Sequence, residues 1–399
     1  KFTVWGIGGL SSIHIEDNPG FNGGSTEKRD QDLGSDMGAA GLTHLVFLGE
    51  KTSLKTTVAA TVLHQWQEKI ILEETDSTSF SYLETYNKNI TMGAHIHSQA
   101  NTKLSAQSSV RTGLIYDHKF VSFVDSTIDL ATHTYLVGLN LKENFGLAQI
   151  YSQFHHRFSE KTSATIGVHG QVSTLNTSFA IEPRIGFRWA PHKRHSFSVG
   201  GGMHSQMLPS LTYFYQTYLP TENRYVRTNE DLGFSRSVHA IVGYDWTVIP
   251  KLRVKLEGYY QYLYAVPVEP NPSYFSMVNA GENIGDVQVK DSLVNEGTGH
   301  NMGVEMTVEK FFDRGYYFLV TGSLYNSTYK GSDGKARKSA FNGNYNLSAL
   351  GGYEFKISKK NTLAFDSKIT WTGGARYVPI DLDSSVVVQA TVRNYTRAY

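Results

Sequence analysis

The chain has 399 residues, with 37 Lys+Arg against 36 Asp+Glu, for a net charge of +1. So even a balance offers no basic field for nucleic acid, and the absence of cysteine excludes a disulfide framework, a thiolate metal site and a thiol nucleophile. No apolar run approaches the roughly 20 residues that a membrane-spanning helix needs. Aromatic residues are abundant, with 24 Tyr and 21 Phe, beside 37 Gly and only 10 Pro, which points to an all-β chain. The mean hydropathy of −0.31 is compatible with a membrane barrel, because only every second residue of its strands meets lipid.

In chain order, the sequence opens on Lys1-Phe2-Thr3-Val4-Trp5, which reads as the inside of a strand, with neither an initiator Met nor a secretory signal. A long Gly/Asn/Asp/Ser/Thr-rich connection is expected at about 13–38, a short turn near Glu50-Lys51, and a second long connection at about 69–87. The strand 88–98 leads to a turn at Gln99–Thr102, then to a third long loop at 117–146. The stretch 132–144 could be read as an extra strand, but that would break the order of connections, so it is assigned to this loop. Turns follow near Ser159–Thr162 and Ala190–His195, with a brief link at Leu175–Ser178 between them. Beyond the loop 206–235, the stretch Leu252–Tyr264 alternates most clearly. Leu252, Val254, Leu256, Tyr260, Tyr262 and Tyr264 share one face, and Arg253, Lys255, Glu257 and Gln261 share the other. After the loop 265–299 come Val304, Met306 and Val308 against Glu305, Thr307 and Glu309. The loop 327–343 is followed by Tyr345, Leu347, Ala349, Tyr353 and Phe355 against Asn346, Ser348 and Glu354. Leu363, Phe365, Ile369 and Trp371 then oppose Asp366 and Lys368. Further turns fall near Ile249–Lys251, Phe312–Gly315 and Ser358–Asn361. The chain stops at Arg397-Ala398-Tyr399 without an evident closing strand.

A soluble sandwich also alternates, so three features decide between it and a membrane barrel. The alternating stretches exceed the 5–6 residues of ordinary strands and reach the roughly 9–11 of a tilted membrane strand. Aromatics cluster at strand ends, at Tyr260, Tyr262 and Tyr264, at Tyr316 and Tyr317, and at Trp371, as interfacial girdles do. Short and long connections alternate, as periplasmic turns and external loops do. The reading is a transmembrane antiparallel β-barrel with about fifteen strands in this chain. An odd, unclosed set would leave edges facing hydrocarbon, so further strands are expected outside these residues.

Several stretches carry a family resemblance. Glu182-Pro183-Arg184-Ile185-Gly186-Phe187-Arg188-Trp189 resembles a strand common in TonB-dependent receptor barrels, and Phe197–Gln206 resembles the strand that follows it. Asn229-Glu230-Asp231-Leu232, Gly243-Tyr244-Asp245, Glu257–Tyr264, Gly303–Met306, Phe341–Asn346 and Gly373–Leu382 continue the series in order over roughly 145–382. Together they are similar to the Bacteroidetes branch of that family. The resemblance implies a barrel of about 22 strands plugged by a separate N-terminal domain. Residues 1–399 would then be a partial barrel domain, with about four strands upstream and three downstream. It further implies an outer-membrane receptor and active transporter that imports a small nutrient, energised by TonB through the plug, with outer-membrane lipid around it. A surface lipoprotein is a further partner under this reading, and no nucleic acid, cofactor or catalytic activity is expected. The rival readings are a passive porin, a barrel subunit held in a larger surface complex, and an outer-membrane enzyme. The last would need a Ser/His or Asp/His cluster at the rim, and the sequence offers none.

His95 and His97 stand two apart on one face, a spacing that could hold a metal. Polar residues must line a wet lumen in any case, and lining is the expectation for both. The same expectation covers Arg184, Arg188, Asp245, Arg253, Lys255, Glu257, Glu305, Glu354, Asp366 and Lys368, rather than catalytic carboxylate pairs. The long loops carry Tyr213, Phe214, Tyr215 and Tyr218, then Tyr274 and Phe275. Such clusters stack on a planar or sugar ligand, or they pack the loops against one another, and the sequence leaves both open.

Overall fold

The computed structural model describes residues 1–16, 28–75, 78–129, 134–279, 290–374, 376–388, 392 and 394. Parts of the expected loops, 17–27 and 280–289 among them, lie outside the described residues, as do Ala375 of the final family-like stretch and the chain end after 394. One antiparallel sheet dominates. Its first nine strands are β1 (Phe2–Ile15), β2 (Lys28–Leu48), β3 (Thr52–Thr75), β4 (Thr78–Lys103), β5 (Ser108–Asp129), β6 (Thr134–Arg157), β7 (Thr162–Ser173), β8 (Phe179–His192) and β9 (His195–Gln206). A separate small hairpin follows, β10 (Thr217–Leu219) with β11 (Arg224–Val226). The sheet resumes with β12 (Ser235–Ile249), β13 (Leu252–Val268), β14 (Val294–Asp313) and β15 (Tyr316–Lys330). The short β16 (Ala336–Lys338) pairs with β15, and β17 (Tyr345–Lys356) and β18 (Thr362–Thr372) complete the order. Leaving out β16, fifteen strands pair in unbroken sequence order among the described residues. Among the described residues, helix is confined to α1 (Ser210–Phe214), α2 (Leu382–Val388) and one 3-10 turn at Met277–Asn279.

Residues directly opposed in an antiparallel pair share a face, so the register can be followed across the wall. One row runs Trp189, Phe197, Tyr244, Leu256, Met306, Gly322, Leu347, Trp371, from β8 to β18. The adjacent row, one residue along, runs Arg188, Ser198, Gly243, Glu257, Glu305, Ser323, Asn346, Thr372. A single-residue offset thus separates an apolar face from a polar one over eight strands. Leu256, Met306 and Trp371 are 44%, 45% and 63% exposed, part of an apolar surface far larger than a water-facing protein presents.

Rings bound this surface at both ends. Towards the short turns, Phe154 stacks on His156, which meets Phe158 edge-on, and His195 lies 6.0 Å from Tyr244 and 6.1 Å from Trp246. There Lys310 also sets its ammonium 4.5 Å over the Tyr316 ring, reaching away from the apolar band. Towards the long connections, His118 packs 4.7 Å from Phe120, and His300 lies 5.0 Å from Tyr262. His156 pairs with Ser108 and His118 lies further along the same strand, β5. The belts are therefore roughly ten residues apart, which at about 3.4 Å per residue and a tilt near 40° spans about 25 Å, the height of a membrane barrel's apolar band.

Three expected loops prove to be largely strand. β2 through β6 run 21, 24, 26, 22 and 24 residues, so much of 13–38, 69–87 and 117–146 is paired backbone. The stretch 132–144, read as loop, is for the most part the start of β6. Above the bilayer both faces of a hairpin are wet, so the hydropathy alternation fades while the ladder of hydrogen bonds continues. The turn expected at Gln99–Thr102 sits instead at 104–107, because β4 continues to Lys103 and Thr102 bonds Thr52 across the ladder at 3.1 Å. The turn at Arg314-Gly315 has φ of 56° and 86°. That is the left-handed pair a tight hairpin needs, and glycine takes it without strain.

The segment between β9 and β12 identifies the concave side. Its Phe214 packs 5.9 Å from Phe145 of β6, within a buried cluster that includes Val121 of β5. Val121 and Phe145 share their face with Asp117 and Leu147. A segment can reach strands that far along the wall only across the inside of its curvature, so the polar face is the concave one.

Leu256→Arg should therefore impair insertion, and Glu257→Gln should not. A cation near the bilayer midplane on the lipid face costs roughly 2–4 kcal/mol, whereas a substitution on the wet face stays solvated. A folding titration of both variants into lipid vesicles checks this; equal losses would show the faces to be misassigned.

Candidate functional site

A chain of polar side chains crosses the concave face from β3 to β9. Thr61 Oγ1 lies 2.9 Å from His95 Nε2, and His95 Nδ1 lies 2.7 Å from Asp117 Oδ1. Gln149 donates to the second Asp117 oxygen at 3.2 Å and meets His169 Nε2 at 3.1 Å through its own carbonyl. His169 Nδ1 reaches Glu182 Oε2 at 3.0 Å. Glu182 is only 2% exposed. It also accepts from Arg184 at 2.6 Å, from Gln171 at 3.0 Å, and from the Ser205 amide and hydroxyl at 2.8 and 2.6 Å. Every acceptor site of this buried carboxylate is therefore engaged, which is what makes burial of its charge tolerable.

The chain borders a recess of about 620 Å3 lined by Gln149, Tyr151, His169, Glu182, Arg184 and His204. A second recess of about 450 Å3, bounded by Asp117, Lys119, Phe145 and Leu208, shares Gln171 and Ser205 with it and leads up beneath the loop after β9. His97 completes the wall: its Nε2 lies 2.9 Å from Tyr151 Oη, which donates to Gln99 at 2.8 Å. The Tyr151 ring lies across Gly113, where an added Cβ would come within 2.6 Å of it, so this hydrogen bond requires a glycine there. His204 stacks on His239, ring centroids 4.5 Å apart. Among the described residues no group of three His, Asp or Glu side chains has the geometry of a metal site.

The remaining charges named from the sequence are on the same polar face but are not gathered into one cluster. Arg188 donates to Ser196 at 2.9 Å. Glu257 stands opposite Glu305, and Lys255 lies 2.5 Å from Glu257, offsetting the like-charge pair. Arg253 is paired with Asp245. Asp366 accepts from Tyr317 at 2.7 Å. Glu354 faces the same side through its pairing with Ala364.

Above the recesses, the connections after β9 and β13 pack into one cap. Tyr213 is 1% exposed, its phenol accepts from the Leu208 amide at 3.2 Å, and burial pushes its pKa up. Phe214, Leu232, Phe275, Met277 and Leu293 join it in the core. Tyr213 and Phe275 thus hold the cap together from within, and Tyr215 and Tyr274 are half-buried. Tyr218 is exposed on the β10–β11 hairpin, its ring tilted against that of Tyr225 with centroids 5.1 Å apart. Asparagines tie the cap to its surroundings. Asn229 donates to Lys290 O at 2.7 Å and accepts from the Leu293 amide at 2.9 Å. Asn295 bonds Gly233 N and Ala265 O, and Asn176 bonds Glu230 O and Leu232 O. An Asn side chain carries one amide's worth of donor and acceptor, so it satisfies irregular backbone as a neighbouring strand would. Arg227 anchors the cap to the wall by pairing with Glu143 of β6 while lying 5.3 Å over Phe214.

Sequence reasoning missed Asp117, Gln149, His169, Gln171 and Ser205. Their signal is register: they stand far apart in the chain and become neighbours only when strands pair. Glu182→Ala should lower stability by roughly 1–3 kcal/mol, since His169, Gln171 and the Ser205 amide lose a buried acceptor. Arg184 is 45% exposed and can turn to water, so Arg184→Ala should cost about 1 kcal/mol or less. Denaturant unfolding of the folded variants reads the difference, and equal costs would remove Glu182 as the network's centre.

No family model and no curated protein matches the sequence. Solved structures do match its fold. The outer membrane transporter YddB from Escherichia coli superposes at TM-score 0.62 with 10% identity, over 98% of this chain and 60% of that one. BauA, the ferric preacinetobactin receptor from Acinetobacter baumannii, gives 0.58 with 8% identity, over 86% and 53%. The RagAB peptide importer gives 0.56 with 10% identity, over 89% and 50%. The chain thus spans between 50% and 60% of the length of these structures. What the likeness establishes is fold: the long antiparallel sheet of this chain is built as the β-barrel wall of these outer-membrane proteins is.

Proposed function

We propose that residues 1–399 are one barrel-wall domain of an active importer in the bacterial outer membrane. A plug domain and the remaining strands of a barrel of about 22 would be supplied outside these residues. The observation that carries the reading is the cap. It is a pre-packed, asparagine-tied structure seated on the concave face, above a continuous polar recess and within an apolar belt of membrane height. Such an arrangement captures a solute at the mouth and hands it to a wet interior, and it contributes no catalytic group of its own. The work of moving the solute would come from TonB acting on the plug. Two structures of similar fold are named for a peptide and for ferric preacinetobactin, so a small nutrient of that size range is the cargo class, and a surface lipoprotein fits the exposed hairpins as a partner.

The test is uptake, in cells with and without TonB, of a labelled panel of oligopeptides, ferric chelates and oligosaccharides. One class should enter only when TonB is present. Entry indifferent to TonB would identify a passive porin instead. Excising 207–234 and 269–293 should abolish that uptake while heat-modifiable gel mobility still shows an assembled barrel, because the strands carry the wall and the loops carry recognition. Uptake that survives both excisions would move ligand capture to the plug or to a partner.

A further inference from the structure

The apolar face of the wall is not uniform. Across β4 to β8 it is hollowed into a recess of about 480 Å3, within the roughly 300–1,000 Å3 range of ordinary ligand pockets. Its floor is made by small residues, Ala148 and Gly170, and its rims by Leu114, Ile150, Val172 and Phe179. The register accounts for the hollow. Ala148 pairs with Tyr116 and Val172, and Gly170 with Ile150 and Ile181, so two small side chains fall diagonally next to each other among bulky ones. A Cβ built on Gly170 would meet only ordinary contacts, at 3.6 Å from Ile150 and 3.8 Å from the Ala180 carbonyl, so the space above it is open.

The end of the hollow nearer the long connections is polar. Tyr116, on its rim, bonds His118 of the aromatic belt, Oη to Nδ1 at 3.0 Å. Arg236 donates to the carbonyl of Phe179 at 3.0 Å, which brings a guanidinium to the rim. It shares its face with Tyr264, its register partner in the same belt. Among the described residues no carboxylate pairs with Arg236, as with Arg111, Arg157 and Arg188, but of these only Arg236 reaches the rim of the hollow. An unneutralised cation at the bilayer interface, directly above an apolar hollow, matches the two ends of a lipid.

We infer that this hollow is a binding site for one acyl lipid with an anionic phosphate headgroup, its chain over Ala148 and Gly170 and its phosphate at Arg236. The inference rests on the membrane reading above. At this depth the surface is covered by hydrocarbon in any case; the hollow and the cation make one position better than the rest of the belt.

The experiment uses the full-length protein in phosphatidylcholine vesicles doped with phosphatidylglycerol. Protease protection reports insertion, and native mass spectrometry after mild detergent extraction counts retained lipid. One phosphatidylglycerol should remain per protein, enriched about fivefold over its bulk fraction, the effect of one cation beside an anionic lipid. Arg236→Gln should retain a lipid with no headgroup preference. Ala148→Leu fills the floor with an apolar side chain that a lipid-facing strand accommodates, and it should retain none. Retention by Ala148→Leu equal to the parent's, or a preference that survives Arg236→Gln, overturns the inference, as does an inserted parent that retains no lipid. A protein that fails to insert overturns the membrane reading as well.

Discussion

A peptide group in hydrocarbon has no water to bond, and each one left unpaired costs several kcal/mol. Every other feature of the wall depends on meeting that demand. The strands are long and consecutive because each supplies the donors and acceptors of its neighbours, so the sheet can cross a bilayer without a helix. Once the ladder is continuous its register is rigid, and parity alone sorts side chains: Leu256 to lipid, Glu257 to the wet interior. A slip of one residue anywhere would exchange the two faces of every strand beyond it.

The same rigidity lets polar residues act together. Thr61, His95, Asp117, Gln149, His169, Glu182 and Ser205 are held at bonding distance by seven strands, so their network needs no local sequence motif. Glu182 is its most buried member, and its surroundings show how a carboxylate stays inside the wall: a histidine, an arginine, a glutamine, a backbone amide and a hydroxyl all converge on it. The cap follows another logic. Irregular backbone cannot satisfy itself, and Asn176, Asn229 and Asn295 stand in for the missing strands, while Tyr213, Phe214 and Phe275 supply a small apolar core. Loops that are packed before a solute arrives have less freedom to lose on binding it.

Much of this is legible in the residues themselves. Period-two patterning in Leu252–Tyr264 and its successors identified strands, their two faces and their number, because one face had to be apolar throughout. Patterning failed where that pressure ends. Above the bilayer, β2 to β6 continue for many residues with both faces wet, and their Gly, Ser and Asp content resembled loop. Aromatic content likewise could not separate Tyr213, which is buried, from Tyr218, which is not, since both lie in one polar stretch.

By itself, then, the sequence determined the all-β barrel architecture, the alternation of an apolar and a polar face along the strands it identified, and the absence of thiol chemistry. These follow from composition and from a periodicity of two residues, both local properties of the chain. Only the tertiary structure decided which polar residues meet, that the loops turn inward to form a cap, and that small side chains on neighbouring strands leave a hollow beneath Arg236. Those depend on register between segments distant in the chain, which is set by the pairing of whole strands and is written in no single stretch of residues.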